Sequence, residues 1–151
     1  MEKLSQILWR ERELLDTLQF KLELEQLVLA SGRTRWLMRA AREVEQVLET
    51  IRQTEILRSV AADKAAASLG LEHNPSLSAL AEATDEPWRS ILHDHHEGFL
   101  AATREIAALA DANRELISAG YRSAQETLRA IGEGDAISLA EARRRQADRG
   151  N

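Results

Sequence analysis

Residues 87–131 read PWRSILHDHHEGFLAATREIAALADANRELISAGYRSAQETLRAI, and the spacing within that stretch decides the fold class. Asp85 and Glu86 stand where an N-cap belongs, and Pro87 suits the first turn of a helix. No proline follows it. Trp88, Leu92, Phe99, Ala102, Ile106, Leu109 and Leu116 return to one face by steps of three and four or their sums, the signature of an amphipathic helix. At 1.5 Å per residue the helix is roughly 65 Å long and cannot bury its stripe alone, so other helices must cover it. After Leu116 the apolar series changes face. Ile117, Tyr121, Ala124, Leu128 and Ile131 step by four and three along a rotated line. An apolar seam that turns away from its own core is a candidate surface for another protein.

The rest of the chain supplies the partner helices. A first helix is expected from Glu2 to Ala30, with Leu4, Leu8, Leu15, Leu18, Leu22 and Leu29 in a heptad-like seam whose remaining slots are Glu11 and Glu25. Ile7, Leu14, Leu24 and Leu27 widen the stripe to suit two neighbours. Ser31-Gly32 ends it, and so short a connection makes the next helix an antiparallel neighbour. That second helix runs from about Thr34 to Leu69, with Leu37, Ala41, Val44, Leu48, Ile51 and Leu57 as core positions, before an alanine-rich end and Gly70. Asn74-Pro75-Ser76 breaks the chain, and Ser76 caps a short connector helix through Leu77, Leu80 and Ala83. Gly132-Glu133-Gly134-Asp135 ends the long helix, and the remainder, with Ile137 and Leu139 as its large apolar residues, reads as a disordered tail. The expected architecture is therefore all-α: an antiparallel bundle of three long helices with a short connector helix over residues 1–131, then a flexible tail over 132–151.

Composition agrees. Of 151 residues, 44% are hydrophobic and 30% charged, with two prolines and no cysteine, which favours helices and excludes disulfide and thiol chemistry. The start, Met1-Glu2-Lys3-Leu4, lacks the apolar run of a signal peptide, and no window of about 18 apolar residues exists for stable membrane insertion. The expected compartment is the cytoplasm. The formal charge of −5 makes a poor polyanion binder. Arg143-Arg144-Arg145 are balanced by nearby acids and read as solvated, so no nucleic acid is expected as a partner.

Chemistry finds little foothold. His93, His95 and His96 with Asp94 and Glu97 form the one cluster resembling a metal site. The chain lacks both Glu-x-x-His and His-Glu-x-x-His, so neither a metal nor another cofactor is expected. His95 falls on the apolar seam and reads as a core histidine. No Gly-x-Ser-x-Gly elbow or phosphate-binding glycine loop occurs, so no catalytic residue is assigned. Trp9 and Trp36 read as buried packing. Two readings of the late seam stand side by side: a docking surface for another protein, or closure of a permanent coiled-coil homodimer scaffold without a client.

One pattern adds to this. Leu8-Trp9-Arg10-Glu11-Arg12-Glu13-Leu14-Leu15, Phe20-Lys21-Leu22-Glu23, Gly32-Arg33-Thr34-Arg35-Trp36-Leu37, Glu55-x-x-Arg58 and Asn113-x-x-Leu116-Ile117 occur in an order that resembles the FlgN family of flagellar type III export chaperones, over about residues 1–131. The resemblance implies a cytoplasmic chaperone without enzymatic activity. Such a chaperone binds the terminal segments of hook-filament junction proteins with its C-terminal part and delivers them to the export gate. Carried over by position, the partner-binding residues are Leu116, Ile117, Tyr121, Ala124, Leu128 and Ile131. Some members carry a tyrosine in the tail after the last helix; this tail has none.

Overall fold

The computed structural model describes residues 1–150, with backbone alone for 135–139. It holds four α-helices, α1 (Glu2–Ser31), α2 (Leu37–Ser68), α3 (Leu77–Ala83) and α4 (Trp88–Arg149), and a 3-10 turn at Thr34–Trp36 ahead of α2. There is no strand among the described residues. The chain divides into two compact units, one of residues 1–113 and one from residue 114 onward.

Local chemistry sets the helix ends. Gly32 adopts φ 70° after α1, and its N–H donates to the Leu29 carbonyl over 3.3 Å. Gly70, at φ 71°, closes α2, and the Leu71 N–H reaches back to the Ala66 carbonyl at 2.9 Å. This is the left-handed ending that glycine permits without a Cβ penalty. The Ser76 hydroxyl accepts the Ala79 N–H at 3.1 Å and caps α3. At the start of α4 the Glu86 carboxylate accepts both the Ser90 N–H, at 3.3 Å, and the Ser90 hydroxyl, at 2.9 Å.

In the first unit, steps of seven along each long helix generate the core. Leu4, Ala65 and Leu92 share one buried cluster with Leu8, Leu77, Leu80 and Ala81, so the connector α3 covers the α1 start and the α2 end. Leu18, Leu22 and Val44 form a second cluster, against which Ile51, Ile106 and Leu109 pack. Near the end of α2, Ala61, Ala65 and Ala66 are buried, and their small side chains pack into the same cluster as the leucines of α1 and α3. Arg58 meets Glu11 and Glu43 meets Lys21, so α1 and α2 run in opposite directions. His95 meets Ser5 and Asn113 meets Leu22, so α1 and this part of α4 run the same way.

Three expectations are corrected. The long helix does not stop at Gly132-Glu133-Gly134-Asp135 but continues to Arg149. Each helical glycine costs only about 1 kcal/mol relative to alanine, and flanking formers such as Thr127-Leu128-Arg129-Ala130 and Glu141-Ala142-Arg143 carry the helix across. Trp9 and Trp36 are 52% and 41% exposed rather than buried. Each lies under an arginine, with Arg12 at 4.8 Å from the Trp9 ring centre and Arg35 at 4.6 Å from that of Trp36, which gives the rings partial cover. Two leucines expected to pack face solvent instead: Leu57, because the slot beside it belongs to Arg58, and Leu27, which lies on the side of α1 opposite its buried leucines and does not widen the packed stripe.

Candidate functional site

The second unit carries the late seam on α4. Adjacent helix positions lie about 100° apart, so Leu116 ends the earlier face while Ile117 opens the new one. Ile117, Tyr121, Ala124, Leu128 and Ile131 then hold one stripe roughly 20 Å long. All six proposed contact residues are exposed, and of the five larger ones Leu116 is least so at 37% and Leu128 most at 68%. Gly120, Ser123 and Thr127 flank the stripe with small side chains, and Arg122, Glu126, Arg129 and Glu133 occupy the opposite side. The arrangement offers apolar area to a second helix and, beside it, room for close approach. It offers nothing that activates a nucleophile or holds a reacting group.

In the first unit several polar side chains are buried, and four of them, Glu11, Glu25, His95 and Asn113, sit in core slots of the heptad pattern. His95 is fully buried. Its Nε2 lies 3.3 Å from the Ser5 hydroxyl, Trp9 meets its ring edge-on at 4.9 Å and Phe99 stacks at 6.4 Å. Gly98 admits the Arg12 guanidinium against α4, since a Cβ there would come within 2.7 Å of it. That guanidinium donates to Asp94 at 3.0 Å. His93 is exposed and His96 half-buried, and no three metal-ligating side chains are grouped for an ion among the described residues.

Burial pushes the His95 pKa below its usual 6.5, the nearby Arg12 charge lowers it further, and Asp94 opposes both. The unfolded chain therefore takes up this proton first as pH falls through 6.5, and the stability held above that pH is lost below it. Glu11 acts with the opposite sign, because its raised pKa restores stability as pH falls toward 4.5. The two effects separate in a comparison of wild type with His95→Gln by thermal melting between pH 7 and roughly pH 5. The wild type is expected to lose more stability than the variant over that range. Parallel curves would show that His95 does not titrate on unfolding.

Glu11, Glu25 and Asn113 fill the other polar slots. The buried Glu11 carboxylate accepts from Arg58 at 3.1 Å, and the Arg58 guanidinium stacks 5.2 Å from the Phe99 ring centre. Asn113 donates to the Leu22 carbonyl and to the Glu25 carboxylate, each at 3.0 Å. These contacts set axial register and carry no chemistry.

Two exposed apolar groups in this unit went unrecognised in the sequence, which placed Leu57, Trp9 and Leu27 in packed positions. Ile56, Leu57 and Val60 face outward on α2, and Trp9, Phe20 and Leu27 do so on α1. The signal for the second was present: those three positions lie eleven and seven residues apart, on the line opposite the leucine seam.

Comparison with known proteins gives one match: residues 1–140 fit the family model described as FlgN protein. Nothing among the curated proteins or the solved structures matches the chain. No described helix is long and apolar enough to cross a membrane.

Proposed function

The chain belongs to the FlgN family of flagellar export chaperones, and from that premise we propose that it binds hook-filament junction proteins through the late seam of α4 and delivers them to the type III export gate. In this reading residues 1–113 are an antiparallel three-helix bundle with α3 as its connector, and they work in the cytoplasm as a carrier without catalysis. The client contributes an amphipathic terminal helix whose apolar face would otherwise aggregate. The seam covers that face with Leu116, Ile117, Tyr121, Ala124, Leu128 and Ile131 in helix-pairing fashion. The observation that carries the reading is the exposure of Ile117, Tyr121, Leu128 and Ile131 along one stripe, at 48%, 66%, 68% and 56%. Large apolar side chains lined up in water offer binding energy, at about 25 cal/mol per Å² covered.

The test is Leu128→Asp combined with Ile131→Asp. Both sites are exposed, so helicity by circular dichroism should stay close to wild type, while affinity for the terminal segment of a hook-filament junction protein drops by more than about tenfold. Unchanged capture by that variant would remove the seam from the reading. A permanent homodimer closed by the same stripe makes a different forecast. It would persist by light scattering on dilution to nanomolar concentration, and the chaperone reading requires a seam that is free to take a client.

A further inference from the structure

We propose that the outer face of α1 is a second docking surface, which takes a lysine- or arginine-bearing amphipathic helix of another protein, with Phe20 as apolar anchor and Asp16 and Glu23 as its charge partners. This surface lies within residues 1–113 and does not depend on the late seam.

Trp9, Glu13, Asp16, Phe20, Glu23 and Leu27 follow one another by steps of four and three, so they form a single line down α1. The buried line of Leu4, Leu8, Leu18 and Leu22 occupies the opposite side. A purely solvating face would be polar throughout, and single exposed leucines need no explanation. Here three large apolar residues, 52%, 55% and 67% exposed, alternate with three carboxylates. Glu13 pairs with Arg10 at 3.6 Å and Asp16 shares a groove with Arg12, while neither Asp16 nor Glu23 makes an ion pair within 4.0 Å among the described residues.

Around Phe20 the side chains of Asp16, Thr17, Gln19 and Glu23, all on α1, border one open space of about 390 Å³, so an aromatic ring and two carboxylates face it together. Next to it a groove of about 280 Å³ between α1 and α4 brings Asp16 together with Glu105, while Arg12, on its rim, is committed to Asp94. A cation near an aromatic face and a carboxylate is held by both. The chain's own Lys21 already places its Nζ 5.8 Å from the Phe20 ring centre. Charge selects the occupant. A second copy of this chain docking face to face would set its own carboxylates against these, whereas a basic amphipathic helix places its apolar stripe on Trp9, Phe20 and Leu27 and its cations on the acids between them.

The probe is a fluorescein-labelled Leu/Lys amphipathic peptide of about three heptads, with a Leu/Glu peptide of the same pattern as control, titrated with the full chain and read by anisotropy. The full chain is expected to bind the Leu/Lys peptide, more weakly as salt rises, and to ignore the Leu/Glu peptide. Asp16→Lys with Glu23→Lys, and separately Phe20→Ala, should each weaken binding roughly tenfold or more with helicity unchanged. Leu128→Asp with Ile131→Asp should leave it intact, so this site and the late seam fail independently. Wild-type affinity in both α1 variants, or loss of binding in the seam variant alone, overturns the proposal. So does a Phe20→Ala protein that loses self-association yet keeps peptide binding, which would assign the face to a second copy.

Discussion

Leu92→Ala is expected to lower the unfolding free energy by about 3–5 kcal/mol, with a matching drop in urea midpoint followed by circular dichroism. Leu92 has no exposed surface and shares its cluster with Leu4 and Leu8 of α1, Ala61, Ala65 and Ala66 of α2, and Leu77 and Leu80 of α3. Truncation removes contacts on every side at once. Leu4 and Leu8 belong to a long helix whose position is fixed along its whole length, so they collapse only partly into the space. The control is Leu57→Ala, the same chemical change at a side chain 59% exposed, which should shift stability by no more than about 0.5 kcal/mol. Equal losses at the two sites would mean that Leu92 is not at the centre of the core.

Arg58→Ala comes next, at about 2–3 kcal/mol near neutral pH. Removing one partner of a fully buried pair costs more, but the Arg58 side chain is 34% exposed and solvent screens part of the interaction. The loss falls on Glu11, whose carboxylate is only 5% exposed and would be left charged without a cation. Burial already raises the Glu11 pKa above 4.5, and Glu55 pushes the same way against the lowering effect of Arg58. Without Arg58 the rise is larger. The deficit should therefore be greatest at high pH and shrink as pH falls toward 4.5, where folded and unfolded chains both carry the proton. Adding Glu11→Gln to Arg58→Ala should recover most of the loss. A double variant as unstable as Arg58→Ala would assign the loss to guanidinium packing on Phe99 instead.

How much of this was legible in the sequence depended on whether apolar residues marked the pattern. The caps were plain: Gly32, Gly70 and Ser76 stop or start helices where their chemistry predicts. Glu11 and Glu25 were recognisable as seam slots because leucines flank them at heptad spacing, and both are buried. On α2 the same logic was harder to follow. Val44, Ile51, Arg58 and Ala65 keep the step of seven, but the arginine in third place hides the line and makes Leu57 look like its continuation. The face of α4 that turns at Ile117 was readable from spacing alone. The continuation of the helix through Gly132 and Gly134 was not, since two glycines in three residues resemble a stop, and the balance of propagation against glycine cost depends on the segments either side. The outward tryptophans were missed because ring size suggests burial, whereas an overlying guanidinium can cover a ring in place of a core.

The polar contacts along α1 act as teeth on a key. Ser5 engages His95, Glu11 engages Arg58, and Leu22 and Glu25 engage Asn113, at unequal intervals down a single rod. Sliding α1 by one turn, about 5.4 Å, separates the side-chain pairs of Ser5, Glu11 and Glu25, and only the backbone carbonyl offered to Asn113 recurs one turn along. Leucine against leucine tolerates such a slip; these pairs do not. Under axial load, then, this part of the molecule should resist creep and fail abruptly.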